Sequence, residues 1–285
     1  MAQTVKIISD STCDLSKDLL EKYDIAILPL HILLGETEYR DGVDITPEEI
    51  FRWSDENKTT PKTSAPSMTE AMEVMKPFLD EGREIICFSI SDSMSTSGNV
   101  MRLAAEELEA SDRVTVINSA NLSTGIGLQV IQAALLSAEE KTRAQITAAI
   151  EEIRPRVRAS FTVDTLTYLY RGGRCNAVAA LAGTMLKLHP RIVVEDGAMD
   201  ASKKYRGKLS SVILSYTKDM EDDLKNAVPD RVFITHSGCD REIVESVRSY
   251  LESLGIFNEI LETRAGGVIS SHCGPGTLGV LFIEK

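Results

Sequence analysis

The stretch Val5-Lys6-Ile7-Ile8-Ser9-Asp10-Ser11-Thr12 is the part of the sequence that decides the fold. Its first four residues are mostly β-branched and apolar, which predicts a buried β-strand, and the polar residues that follow predict a turn. An amphipathic helix is predicted over residues 15–23, and a second apolar strand over residues 25–34. A helix between two strands indicates a parallel βαβ unit, so we predict an α/β protein.

The same alternation of strands and helices continues through the first half of the chain. Two capping-box patterns, Thr46-Pro47-Glu48-Glu49 and Ser67-Met68-Thr69-Glu70, predict helix starts, and residues 58–66 between them predict a polar loop. The next elements are predicted as strand 84–91, helix 99–108, strand 114–117 and helix 127–137. We therefore predict an N-terminal domain, residues 1–157, that is built on a parallel sheet buried on both faces.

The character of the sequence changes at about Arg154, where Arg154-Pro155-Arg156 ends a helix. A hairpin is predicted at Asp196-Gly197, since glycine is favoured in such turns. Further strands are predicted over 161–164, 231–235, 260–263 and 278–283. We therefore predict a C-terminal α+β domain with a mixed sheet, residues 158–285, and an elongated apolar cavity where the two domains meet.

Composition limits the possible functions. The net charge of −12 disfavours nucleic-acid binding, which needs clustered Lys and Arg. Aromatic residues make up only 5% of the chain, so a cavity is expected to be lined by aliphatic side chains. Five scattered cysteines, no signal-peptide pattern and no long apolar run predict a cytoplasmic protein with free thiols and no stable membrane insertion.

Hydroxyl side chains are concentrated in the loops that follow the predicted strands. Ligands bind beyond the carboxyl ends of strands in open α/β sheets, and hydroxyls there can hydrogen-bond a carboxylate or phosphate. The alternative for each single Ser or Thr is an ordinary helix cap. The hydroxyl-rich segments are Ser9 to Thr12, Thr59-Thr60, Thr63 to Ser67, Ser89 to Ser97 and Asn118 to Thr124.

Two glycine-bearing segments are further candidates. Arg171-Gly172-Gly173-Arg174 follows a helical pattern and predicts a helix end with two guanidinium groups beside it. These arginines could contact an anion or a partner protein, and the alternative is an ordinary helix cap with solvated arginines. His272 precedes Cys273-Gly274-Pro275-Gly276, which predicts an exposed, rigid recognition loop, although a structural role is the alternative. No nucleotide-binding, zinc-hydrolase or nucleophile-elbow motif is present, so we expect no cofactor and no metal.

Together these segments resemble the DegV family of bacterial fatty-acid-binding proteins. The match extends over essentially the whole chain, although Thr96 stands where the family usually has Gly and Tyr170 where it usually has Lys. The matching segments, in order, are Ser9 to Leu15, Thr63 to Ser67, Ile90 to Ser95, Leu169 to Arg174 and His272 to Gly276.

The resemblance implies a fatty acid in a tunnel between two domains, with no catalysis by this chain alone. It implies carboxylate ligands at Thr63, Ser95 and His272, with Thr96 beside them. Some members present the carboxylate to a separate ATP-dependent fatty-acid kinase subunit that makes an acyl phosphate. Arg174, together with Arg171, would then contact the kinase or the developing phosphate.

Two other functions remain as alternatives. One is a hydrolase or acyltransferase in which Ser95 is the nucleophile and His272 the base, although the sequence shows no third, orienting group. The other is a binder of a different small amphiphilic anion. Extraction and mass spectrometry of the purified protein would separate these functions.

Overall fold

The structure is a computed structural model that describes residues 5–175 and 188–285. Its strands are β1 (Lys6–Asp10), β2 (Ile25–Leu28), β3 (His31–Leu34), β4 (Thr37–Arg40), β5 (Lys62–Ser64), β6 (Ile85–Ser89), β7 (Val114–Asn118), β8 (Val157–Thr162), β9 (Leu188–Glu195), β10 (Ala198–Arg206), β11 (Ala227–His236), β12 (Glu259–Arg264) and β13 (Leu278–Glu284). Its α-helices in these ranges are α1 (Lys17–Lys22), α2 (Pro47–Asn57), α3 (Met68–Asp80), α4 (Ser97–Glu107), α5 (Thr124–Ala138), α6 (Arg143–Ile153), α7 (Thr167–Gly172), α8 (Leu209–Lys218), α9 (Glu221–Lys225), α10 (Arg241–Leu254) and α11 (Gly267–Cys273).

The first sheet confirms the α/β prediction. It has four strands in the order β2-β1-β6-β7, and every neighbouring pair is parallel. Both predicted capping boxes are present, at Thr46 before α2 and at Ser67 before α3. Because all four strands point the same way, the loops after β2, β6 and β7 leave from one edge of the sheet, and the candidate site lies at that edge.

The second sheet is mixed, as predicted. Its six strands follow the order β10-β9-β8-β13-β11-β12, in which only β11 and β12 are parallel neighbours. The predicted hairpin joins β9 to β10 through Asp196-Gly197. The hydroxyls of Ser91 and Ser93 donate hydrogen bonds to the carbonyl of Gly197, so the hairpin turn is attached to the loop that follows β6.

The sequence did not predict the third sheet, which has the antiparallel order β4-β3-β5. Residues 25–34 were predicted as one strand, but they form β2 and β3 in different sheets. Pro29 lies at the break, where it has no N–H to donate to a strand ladder. The predicted loop 58–66 contains β5, a strand too short and too polar to be recognised by hydrophobic alternation.

Other predicted boundaries differ by a few residues. The helix predicted over 15–23 is α1, which runs over Lys17–Lys22, and a 3₁₀ turn at Ser11–Cys13 precedes it. The strand predicted over 161–164 runs over Val157–Thr162 instead. Its start was missed because the basic residue Arg158 interrupts the apolar pattern. The proposed domain boundary after residue 157 stays a prediction.

Helix α5 joins the two halves of the chain. Most of its side chains are buried, and it packs against β1 and β6 of the parallel sheet and against β8 and β13 of the mixed sheet. A helix that is apolar on all sides belongs inside a protein core. One hydrophobic cluster accordingly includes Phe88, Ile126 and Phe161, so the halves share a core.

Candidate functional site

A cavity of about 430 Å³ lies beyond the carboxyl ends of the parallel strands. This volume is within the range of small-molecule sites, about 300–1,000 Å³. Exposed residues such as Thr96 and Arg174 lie in its wall, so it reaches the surface there. Its apolar wall is aliphatic, in agreement with the composition, and consists of Leu30, Ala65, Ile90, Met94, Leu122, Met199, Val268 and Ile269, with Cys273 beside them.

Thr63 and His272 meet at this cavity although 209 positions separate them in the sequence. Thr63 lies on β5, and its Oγ1 is 2.8 Å from Nε2 of His272 on α11. Strand β5 pairs with β3 at Ile32, which fixes the position of Thr63. The structure thus brings together two of the residues that the family resemblance indicates.

His272 lies in a different setting from the one predicted. We expected an exposed loop, but residues 267–273 form α11, His272 is half-buried and its Nδ1 is closed off from solvent. Its Nδ1 has no hydrogen-bond partner among the described residues and lies against Gly172, where a Cβ would come within 2.5 Å of Nδ1. Burial, and secondly the charge of Arg174, lowers the pKa of His272 to about 4, so the imidazole is neutral at neutral pH.

Ser95 and Thr96 reach the cavity from the loop between β6 and α4. Oγ of Ser95 accepts a hydrogen bond from the Ser97 N–H at 3.2 Å, which leaves the Ser95 O–H available to a ligand. Thr96 is the N-cap of α4, with φ −89°, a conformation that needs no glycine. The Thr in place of the family's usual Gly is therefore accommodated without strain.

The two arginines of the Arg-Gly-Gly-Arg segment lie in different places. Arg174 lines the cavity, and its Nη1 donates to the Gly172 carbonyl at 2.6 Å. Arg171 lines a separate surface cavity of about 320 Å³ and donates to the Lys58 carbonyl. The predicted helix end is present, since α7 ends at Gly172 and Gly173 is its left-handed cap.

The hydroxyls of the first loop do not line the cavity. Thr12 instead donates to the buried Asp10, and Ser11 donates to the buried Asp41. Asp10 also accepts hydrogen bonds from the Ile90 N–H and the Ser97 hydroxyl, at either end of the loop that carries Ser95. Asp10 therefore holds the loop that carries Ser95 without lining the cavity itself. The sequence did not predict this role, because an acidic residue at the end of a strand is also typical of an ordinary turn.

The geometry disfavours the Ser95–His272 catalytic pair. Nε2 of His272 is bonded to Thr63, and no hydrogen bond joins it to Ser95 in the described structure. Its Nδ1 meets no carboxylate there that could orient it, and a pKa of about 4 makes it a weak base at neutral pH.

A larger cleft, of about 830 Å³, lies between α6, β8 and β9. None of the predicted ligand or partner residues lines it, neither Thr63, Ser95, Thr96 and His272 nor Arg171 and Arg174. Its arginines, among them Arg154 and Arg191, are accompanied by acidic residues such as Glu151 and Asp223. We therefore assign it no ligand.

Residues 5–175 and 188–285 hold no group of three or more His, Cys, Asp or Glu side chains placed to bind a metal ion. No helix in these ranges has the length and apolar character that crossing a membrane requires.

Comparison with known proteins gives one family over nearly the whole length. A family model described as "Uncharacterised protein, DegV family" matches residues 4–285. The chain belongs to the DegV family. A DegV domain-containing protein of Clostridium perfringens is 32% identical over 281 residues, 99% of each chain. Another, from Caldanaerobacter subterraneus, is 30% identical over 285 residues, which cover 99% of this chain and all of the relative.

Solved structures of DegV proteins share the fold. A fatty-acid-binding DegV family protein from Thermus thermophilus is 31% identical in sequence and has a TM-score of 0.91. The match covers 99% of this chain and 100% of that one. A stearic-acid-binding protein from Eubacterium ventriosum is 32% identical with a TM-score of 0.85, over 99% and 98%. The resemblance inferred from five sequence segments is thereby confirmed.

Proposed function

We propose that this DegV protein binds one long-chain fatty acid in the 430 Å³ cavity and holds its carboxylate with Thr63, Ser95, Thr96 and His272. The observation that carries the proposal is that these polar side chains, from β5, α11 and the loop before α4, line one cavity whose other walls are aliphatic. The fatty acids bound by the Thermus and Eubacterium relatives support it.

The polar groups suit a carboxylate. A neutral His272 with its proton on Nε2 can share that N–H between Thr63 Oγ1 and the ligand carboxylate, and it leaves the Thr63 O–H free to donate to the ligand as well. Ser95 offers a second O–H, and the N-terminus of α4 beside Thr96 favours negative charge. A carboxylate held by such donors remains ionised without an arginine clamp, and its oxygens stay available as nucleophiles.

The acyl chain supplies most of the affinity. Burial of one methylene contributes about 0.8 kcal/mol, so about fourteen of them contribute on the order of 10 kcal/mol before association losses. Loss of one hydrogen bond to the carboxylate costs only about 1–3 kcal/mol. Retention of the lipid should therefore survive the loss of a single polar ligand.

Extraction of the purified protein and mass spectrometry should reveal a fatty acid in the wild type and in Ser95→Ala and His272→Ala. Both variants should release it faster, by about 5- to 150-fold, since each loses about 1–3 kcal/mol of hydrogen bonding. Extraction of a different amphiphile would favour the second alternative. If the wild type hydrolyses activated acyl esters with multiple turnovers and both variants do not, Ser95 and His272 form a catalytic pair and the hydrolase function replaces this proposal.

The finer part of the proposal is that a separate ATP-dependent kinase subunit phosphorylates the bound carboxylate, and that this chain does no chemistry alone. The neutral, weakly basic His272 supports a binding role, since a nucleophile that is already ionised needs no base. Five cysteines without a disulfide support a reducing, cytoplasmic setting.

Arg174 should contribute to phosphoryl transfer more than to lipid retention. It is exposed at the cavity wall, where a fixed positive charge suits a phosphate. With the cognate kinase subunit, Arg174→Ala should lower turnover by about tenfold or more while the variant still carries lipid. Arg241→Ala, at an exposed arginine on α10, is the matched control. An Arg174→Ala protein that purifies without lipid would make Arg174 a carboxylate ligand instead.

A further inference from the structure

The first turn of α11 is held by carboxylates from distant parts of the chain. The Gly266 N–H donates to Oδ1 of Asp14 at 2.8 Å, and the Gly267 N–H donates to Oδ1 of Asp41 at 2.6 Å. Helix N-termini leave N–H groups without intrahelical partners, and a nearby side chain within the same segment usually satisfies them. Here residues more than 200 positions away do so, although α11 has no side-chain cap of its own.

Asp41 is itself fixed on its other side. It follows β4, and its backbone N–H donates to the Leu30 carbonyl at 2.8 Å. Its Oδ2 accepts a hydrogen bond from the Ser11 hydroxyl at 2.8 Å, and the same hydroxyl oxygen accepts from the Leu30 N–H at 3.1 Å. The carboxylate therefore links the end of β1 and the start of β3 to α11.

The glycine at position 267 makes this contact possible. A Cβ there would lie 2.9 Å from Oδ1 of Asp41 and 2.5 Å from Cδ1 of Ile32, so a larger residue would push the helix away. His272 lies five residues further along the same helix, about 7.5 Å along its axis. A displacement of the first turn would therefore move the imidazole relative to Thr63.

We propose that Asp41 is a positioning residue for the carboxylate site: by holding the first turn of α11 it sets where His272 meets Thr63. The proposal deepens the proposed function, since the group served is the fatty-acid carboxylate. It adds a residue that does not line the cavity and that reaches His272 through α11.

The charge of Asp41 strengthens these contacts. Burial raises the pKa of Asp41 to about 6, so the carboxyl is mostly ionised at neutral pH. It then accepts charge-assisted bonds from the Ser11 hydroxyl and from the N–H groups of Gly267 and Val268. Burial also raises the pKa of Asp14 well above its usual range, and Asp14 accepts a hydrogen bond from the neighbouring N–H of Gly266.

The test compares Asp41→Ala with Asp41→Asn, which keeps an oxygen to accept from the Gly267 N–H. Transfer of fatty acid from the protein to phosphatidylcholine vesicles gives the release rate, measured below the melting temperature of each variant. Asp41→Ala should release about tenfold faster, and Asp41→Asn should stay within about threefold of the wild type. Asp44→Asn is the matched control, since Asp44 is an exposed acid three residues away that pairs with Arg40.

A double-variant cycle shows whether Asp41 acts through His272. Asp41→Ala should speed release in the wild-type background and add nothing to His272→Ala, whereas a merely structural role would give additive effects. Additive effects, or wild-type release by Asp41→Ala, would overturn the proposal.

A second measurement needs no lipid. In NMR spectra, Asp41→Ala should shift the His272 ring resonances and move its titration toward that of an exposed histidine, while Asp44→Asn leaves both unchanged. If no variant carries fatty acid but the ring shifts, the proposed function fails and the positioning role stands. Unchanged chemical shifts and titration of the His272 ring in Asp41→Ala would overturn the positioning role. If Asp41→Ala does not fold, Asp41→Leu serves as the second variant for the same measurement.

Discussion

Ile269→Trp is expected to weaken the binding of long-chain fatty acid by about a hundredfold and to lower the lipid load of the purified protein. Ile269 is buried and lies in the wall of the main cavity and of a small apolar cavity of about 30 Å³ beside it. An indole at this position would occupy the space of several methylenes. Exclusion of about four of them, at about 0.8 kcal/mol each, weakens binding by roughly two orders of magnitude.

Lipid extracted per mole of protein is the measurement for this variant. Ile269→Leu conserves the side-chain volume and should carry the wild-type amount, so it separates lost space from general disturbance of α11. The melting temperature of both variants shows that they are folded. The same fatty acid in the same amount in Ile269→Trp would mean that the lipid lies elsewhere, and the larger cleft near Arg154 would become the candidate.

Tyr216→Ala is expected to have the largest effect on stability, a loss of about 4–5 kcal/mol in the free energy of unfolding. Tyr216 is fully buried on α8. Its hydroxyl donates to the Ser160 carbonyl at 2.6 Å and accepts from the Val280 N–H at 3.1 Å, where β8 and β13 pair. The substitution leaves a cavity and two backbone groups without their partner.

Tyr216→Phe separates the two contributions. It keeps the ring and removes only the hydroxyl, so it should cost about 1–3 kcal/mol. Denaturant unfolding of the wild type and both variants gives the values. Equal losses in the free energy of unfolding of Tyr216→Phe and Tyr216→Ala would assign the whole effect to the hydroxyl. A loss below about 1 kcal/mol in Tyr216→Ala would show that other contacts hold β8 and β13 together.

The parallel sheet could be predicted from sequence because its strands are buried on both faces and therefore read as continuous apolar runs, such as Ile85 to Phe88. The small third sheet could not. Its strand β5 has only three residues, Lys62–Ser64, and its stability comes from pairing with β3 rather than from its own composition. The break at Pro29 was visible, yet an extended segment that changes sheets has the same local pattern as one that continues.

The candidate site divides in a similar way. Thr63, Ser95 and His272 could be named from motifs, and the cavity brings them together. Leu122 and Met199 could not be named, since an aliphatic wall residue has no pattern that separates it from the core. Asp41 escaped for a different reason: its importance depends on Gly267, more than 200 positions away, and only the folded chain places the two together.

The shared wall of the cavity links occupancy to thermal behaviour. Met199 and Ile269 from the second half line the same cavity as Leu30 and Ile90 from the first, so a lipid in it would contact both halves and would have no such site in the unfolded chain. A ligand that binds only the folded state stabilises it by about 4.1 kcal/mol when its free concentration is 1,000 times the Kd. If the proposed lipid occupies the cavity, preparations that differ only in lipid load should melt at different temperatures, and the melting temperature of a purified batch should report its lipid content.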